Sequence, residues 1–183
     1  MLKCRNCNFK VKKFMSFGRM PIANAFVKNP KMKEYYFELA PGYCPKCSLF
    51  QLITQPNPKK LFHENYAFFA GTSSKMQKHF KDLANKLIKK FKIKKNDLTV
   101  EIGNNDGGVV NYLAKKKYKN LGVDPSLNVA KSAKSKGVNM YNGFFDYSSS
   151  MAIKKKYGLA KVFIAQNTLA HIPNINSVFK GVE

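Results

Sequence analysis

Four cysteines stand in two pairs, Cys4-Arg5-Asn6-Cys7 and Cys44-Pro45-Lys46-Cys47, and the chain has no others. Two residues between cysteines let a tight turn aim both thiolates one way, so each pair supplies half of a tetrahedral zinc shell. Residues 8–43 make a longer interval than a compact zinc ribbon has, but an insertion leaves each knuckle intact. The alternatives are a redox CxxC or four unrelated thiols. A redox motif explains one pair and leaves the other unexplained. Zn2+ held by Cys4, Cys7, Cys44 and Cys47 explains both. Four protein ligands leave no open coordination position, so such a zinc is structural.

A second constellation is Val100-Glu101-Ile102-Gly103-Asn104-Asn105-Asp106-Gly107-Gly108, where an apolar run ends and a helical pattern begins. Glycines let backbone approach a ligand closely, and a helix N-terminus offers unpaired N–H groups. The run is not GxGxxG, and it lacks the lysine of a P-loop. Asp124 closes the next apolar run, in Gly122-Val123-Asp124-Pro125. An acid there can accept both hydroxyls of an adenosine ribose. From residue 98 onward the only acids are Glu101, Asp106, Asp124, Asp146 and Glu183. The first four fall at or just past predicted strand ends, where open α/β sheets bind ligands. Asn, Asp and Gly also make ordinary turns. Repetition at consecutive strand ends favours an adenosine-type cofactor.

Elements must position these residues. Apolar runs at 98–102, 120–123, 138–141 and 160–165 alternate with helical patterns at 109–117, 127–136 and 148–156. Strand, helix, strand at this spacing predicts right-handed βαβ units and a parallel sheet. Upstream, Met76, Phe80, Leu83, Ala84, Leu87, Ile88 and Phe91 recur at helical steps, with Ser73 or Ser74 as N-cap. The first part is irregular, punctuated by six prolines from Pro21 to Pro58, with strand-like runs at 35–39 and 49–53. The expected class is α/β: a zinc-ribbon-like module at 1–55, a connector and helix at 56–97, and a partial Rossmann-type domain at 98–183. The connector, running from Lys60 to Gly71, is too aromatic for a flexible linker and is expected to pack.

Composition narrows the function. The 183 residues are 44% apolar, with 15 Phe and 9 Tyr, enough for a core. No apolar run is long enough for a membrane span, and the start, Met-Leu-Lys-Cys-Arg, lacks a signal-peptide pattern. Cysteines without an export signal point to a reduced, cytoplasmic setting. The net charge is +23, yet Arg5 and Arg19 are the only arginines among 33 basic residues. Base and phosphate readers favour arginine's fork. The lysines are also spread evenly, which predicts nonspecific polyanion attraction rather than a specific nucleic-acid groove.

The glycine loop Glu101-Ile102-Gly103-Asn104-Asn105-Asp106-Gly107 resembles the first motif of S-adenosylmethionine-dependent methyltransferases. It is especially similar to the sugar C-methyltransferases of deoxysugar biosynthesis, which place a four-Cys zinc domain first. Matching stretches follow the same order: 17–26, Leu61-Phe62 through Tyr66 with Ser73-Ser74, 122–126, Gly143-Phe144-Phe145, and 167–173. The resemblance covers essentially the whole chain and corresponds to the family's N-terminal half. It implies that Glu101, Gly103, Asn105 and Gly107, with Asp106 in the same loop, wrap the methionine part of S-adenosylmethionine. Asp124 would hold the ribose, and Phe144, Phe145 and Asp146 would border the adenine. Asn167 and His171 would lie near the cofactor, and Tyr66 matches an aromatic position against the active site. Where the family often has a second Tyr, this chain has Phe68.

The resemblance implies a reaction in which a base removes a proton beside the keto group of a nucleotide-linked sugar, and the resulting carbanion takes the cofactor's methyl. Tyr66 and His171 are the candidate catalytic residues within this chain. The segment bearing the family's base is expected to lie on a complementing C-terminal polypeptide, and an uncovered fourth strand is expected to invite self-association. The rival readings are a zinc-ribbon nucleic-acid-binding protein and an inactive remnant that keeps zinc and cofactor binding.

Overall fold

The computed structural model describes residues 2–183. They form two compact units. One takes the chain up to Phe62 together with Ile172–Asn176, and the other takes His63–His171 with Ser177–Glu183.

In the first unit the strands are short, as a proline-rich segment dictates. Strands β1 (Lys12–Lys13), β4 (Pro41–Tyr43) and β5 (Phe50–Leu52) make an antiparallel sheet in the order β1-β4-β5, and β2 (Arg19–Pro21) pairs with β3 (Tyr36–Glu38). Few side chains are buried. Cys4, Val11 and Cys44 form the centre, with Cys7, Cys47, Leu49 and Ile53 against them. A core this small needs a cross-link or a metal to hold it. A short helix, α1 (Pro58–Leu61), follows, capped by the Asn57 side chain.

The second unit is built on a parallel sheet. Strands β6 (Leu98–Ile102), β7 (Asn120–Asp124), β8 (Met140–Asn142) and β9 (Ala160–Ala165) lie in the order β8-β7-β6-β9. Every residue of the two central strands is buried. Helices α3 (Gly108–Lys115), α4 (Leu127–Ser135) and α5 (Tyr147–Tyr157) make the crossovers, and α6 (Ile175–Val182) follows β9. Helix α2 (Ser74–Phe91) precedes the sheet, with Ser73 as N-cap and Lys92 in the left-handed conformation at its end. Its apolar stripe, including Phe80, Leu83, Ala84, Leu87 and Ile88, packs on a core with Val109, Val110, Leu113, Val162 and Ile164. Phe163 packs against Phe145, ring centroids 5.0 Å apart. Phe145, Phe163, Val100 and Ile153 line a groove of about 700 Å³ beside β9. No helix is long and apolar enough to cross a membrane among the described residues.

One strand begins later than its apolar run. Val138 starts the run, but its N–H closes the end of α4 on Ala133 O at 3.2 Å and its side chain joins the core. Asn139 is held by the Asn120 side chain at 3.1 Å, so strand pairing starts at Met140.

Candidate metal centre and cofactor site

The two cysteine knuckles share one backbone pattern. The Cys4 N–H donates to Phe9 O at 2.7 Å and the Asn8 N–H to Cys4 O at 2.8 Å. The Cys44 N–H likewise donates to Leu49 O at 3.0 Å and the Ser48 N–H to Cys44 O at 2.8 Å. Asn8 and Ser48, each one residue past the second cysteine, both have φ of 59°. This left-handed turn brings the chain back under its two sulfurs. Cys4 Sγ lies 3.6 Å from Cys47 Sγ, Cys7 Sγ lies 3.5 Å from Cys44 Sγ, and all four sulfurs fall within 4.8 Å of one another. A zinc tetrahedron with bonds of about 2.3 Å has sulfur–sulfur edges of roughly 3.8 Å. The cluster fits a tetrathiolate zinc. The Leu49 N–H draws the Cys47 thiol below its ordinary value against the opposing effect of burial. At Cys7 the Phe9 N–H is outweighed by burial and the three neighbouring thiols, which push the thiol up, as expected of four sulfurs sharing protons in one cluster. Polar contacts brace the first knuckle. The Arg5 N–H donates to Gln51 Oε1 at 3.2 Å, its guanidinium donates to Ile172 O at 3.2 Å, and the Asn176 amide donates to Asn6 O at 3.1 Å.

The second cluster sits at the carboxyl ends of β6, β7 and β9, and its backbone is shaped for close approach. Gly103 has φ of +61°, and a Cβ there would strike the Thr168 hydroxyl. Asn105 has φ of 54°. Its N–H donates to Asp124 Oδ2 at 2.9 Å, while Asp124 Oδ1 accepts from the Ser126 N–H at 2.9 Å. Burial raises the Asp124 carboxyl above its ordinary value, opposed by those N–H donors. A carboxylate oxygen has two lone pairs, so each oxygen of Asp124 keeps capacity for a further donor such as a hydroxyl. The fit to a ribose-bearing cofactor rests on that capacity beside a glycine turn.

Other acids are engaged within the protein. Glu101, 2% exposed, accepts from the Val110 N–H at 2.9 Å and from the Gln166 amide at 3.0 Å. Burial, ahead of these opposing hydrogen bonds, pushes its carboxyl up to about 7. Asp106, 3% exposed, accepts from the Gly71 N–H at 2.7 Å and pairs with the Lys136 ammonium at 2.6 Å. Asp146 caps α5 in a reciprocal box, its carboxylate on the Ser149 N–H at 2.7 Å and its N–H on Ser149 Oγ at 2.8 Å. Phe145 is buried against Phe163, whereas Phe144 is exposed. Gly107, φ of +137°, is the N-cap of α3, where a Cβ would meet Asn111. Asn167, φ of 49°, is exposed just past β9.

Tyr66 and His171 stand on different loops. Tyr66, half-buried in the connector, is clasped by Asn128, which accepts its N–H at 3.2 Å and donates to its carbonyl at 2.8 Å. His171 ends a short 3-10 turn after β9, its N–H on Thr168 O at 3.0 Å. Sequence reasoning missed Gln166, Thr168, Asn128 and Lys136. For Gln166 and Thr168 the signal was available: both are polar residues just past an apolar strand, like Asp124.

Residues 4–62 match a family model named for methyltransferases and described as "Putative zinc binding domain". The chain is also similar to C-methyltransferase NovU of Streptomyces niveus, 28% identical over 170 residues, which is 92% of this chain and 40% of that protein. The chain therefore resembles part of a C-methyltransferase, spans well under half the length of that relative, and carries its zinc-binding match in residues 4–62.

Proposed function

We propose that the chain is the zinc-bearing, cofactor-binding part of an S-adenosylmethionine-dependent C-methyltransferase acting on a nucleotide-linked keto-deoxysugar. The observation that carries this reading is Asp124 at the end of β7, tied to the glycine turn by the Asn105 N–H at 2.9 Å. The likeness along 92% of the chain to a C-methyltransferase supports the reaction class. The cofactor supplies an electrophilic methyl group. Asp124 is assigned the ribose hydroxyls, the Gly103–Gly107 turn the methionine part, and Phe144, Phe145, Asp146 and Asn167 the periphery of the site. Tyr66 and His171 are the candidates for orienting the substrate or moving its proton. A protein of net charge +23 also suits an anionic nucleotide-sugar. We take the compartment to be cytoplasmic, where thiolates stay reduced.

Calorimetry with S-adenosylhomocysteine tests the assignment. Asp124→Ala is expected to weaken binding by about 1–3 kcal/mol, the scale of hydrogen bonds to a charged group. Equal affinity in both proteins would overturn the site. Methyl transfer to nucleotide-linked keto sugars is then assayed for the 183-residue chain alone and with a polypeptide corresponding to the rest of the relative. Turnover is expected only with the second polypeptide, docked beside β9. Turnover by the chain alone would make Tyr66 and His171 the catalytic groups. Tight, sequence-selective nucleic-acid binding without cofactor binding would favour the zinc-ribbon alternative.

A further inference from the structure

The loop assigned to the cofactor also grips the connector that leads into α2. Asn105 Oδ1 accepts from the Ala70 N–H at 2.9 Å, and its Nδ2 donates to Phe68 O at 3.0 Å. The amide thus gives an acceptor and a donor to one stretch of backbone, as a neighbouring strand would. The same residue's own N–H is on Asp124. Next to it, Asp106 holds the Gly71 N–H at 2.7 Å while Lys136 anchors its other oxygen. A Cβ on Gly71 would come within 2.6 Å of Asp106 Oδ2, so a side chain there would displace the carboxylate that holds the Gly71 N–H. Gln77, in the first turn of α2, donates to Gly71 O at 2.7 Å.

We propose that Asn105 is a positioning residue that couples occupancy of the Asp124 site to the order of the connector at Phe68–Gly71. The proposal rests on the cofactor reading above. Its physical basis is that one residue touches both sides: backbone on the acid, side chain on the connector. A ligand that fixes Asp124 fixes the Asn105 backbone, and the amide passes that restraint to Ala70. By linkage, loosening the connector must in turn weaken the ligand. Tyr66 lies on the same connector, so the coupling delivers an aromatic candidate to the site when the cofactor is bound.

The test combines amide hydrogen exchange at Ala70 and Gly71 with calorimetry, on the 183-residue chain with S-adenosylhomocysteine as ligand. Two variants separate the two halves of the link. Asn105→Gly keeps the left-handed backbone and the N–H to Asp124 but removes the grip. Ala70→Pro removes the gripped N–H, and its ring Cδ, standing where that N–H points, forces the Asn105 amide to let go of the connector. Position 70 follows Phe69, whose backbone is extended as a residue before proline requires. In the parent chain, saturating ligand is expected to slow exchange at both amides at least several-fold. In Asn105→Gly, Ala70 is expected to exchange faster without ligand and to gain no protection at saturation. Ala70→Pro is expected to bind the ligand several-fold more weakly. Unchanged affinity in Ala70→Pro, or full ligand protection of Ala70 in Asn105→Gly, would overturn the coupling while leaving the cofactor site standing. Absence of binding to the parent chain would overturn the cofactor reading, and the coupling with it.

Discussion

The Glu101 carboxylate takes a hydrogen bond from the Gln166 amide at 3.0 Å, joining the carboxyl end of β6 to that of β9. Its other oxygen holds the Val110 N–H in the first turn of α3. A Cβ on Gly108 would come within 2.6 Å of this carboxylate. The acid is therefore a brace between two strand ends and a helix, at the start of the glycine loop.

This brace has a pH signature. The carboxyl titrates at about 7 in the folded chain, raised by burial from the value of 4.5. Between those values the folded state holds a proton that the unfolded chain has lost. Its contribution is complete below about pH 4.5, falls as pH rises, and is gone above about 7. The size is on the order of 3 kcal/mol. Denaturant titrations of the parent and Glu101→Gln from pH 4.5 to 8 are expected to show the parent losing stability relative to the variant. Parallel curves would show that the carboxylate stays ionised in the fold.

Zinc is expected at one ion per chain. Elemental analysis after purification under reducing conditions is the measurement. Cys44→Ser should lower the metal content sharply and reduce the thermal midpoint, because little other apolar burial supports the first unit. A folded, metal-free chain would refute the tetrathiolate.

Two glycines with positive φ offer a controlled comparison. Gly103, at +61°, has Thr168 in the space of a Cβ, while Gly137, at +90°, has nothing within 4 Å. Gly137→Ala meets backbone strain alone, about 1–2 kcal/mol. Gly103→Ala meets strain plus displacement of Thr168, and should cost roughly 1–3 kcal/mol more. Urea unfolding of the pair decides whether the turn tolerates a side chain.

The lysines should bind DNA or RNA without preference and release it steeply as salt rises. Filter binding with random and selected sequences measures this. A selected sequence that outcompetes random competitor by several orders of magnitude would indicate a specific reader.

Much of this architecture was legible in residue order. Alternating apolar runs at 98–102 and 160–165 became β6 and β9 because strands and crossover helices are local patterns with distinct periods. The knuckles were legible for a similar reason, since CxxC spacing sets a turn within a few residues. The boundary of β8 was not, because Val138 is taken by the closing turn of α4 and by the core.

The sequence by itself determined the ligand chemistry on offer: four thiols in two turns, a glycine loop, and few acids after residue 98. Only the tertiary structure decided how each acid is used. Asp106 is taken up by Lys136 and Gly71, Glu101 by Gln166 and Val110, and Asp146 by its helix cap. Asp124 accepts two N–H groups, one on each oxygen, and one of them comes from Asn105 in the glycine turn. Spacing along the chain carries no record of these partners, because a buried carboxylate takes whatever donors the packing of distant segments brings within 3 Å.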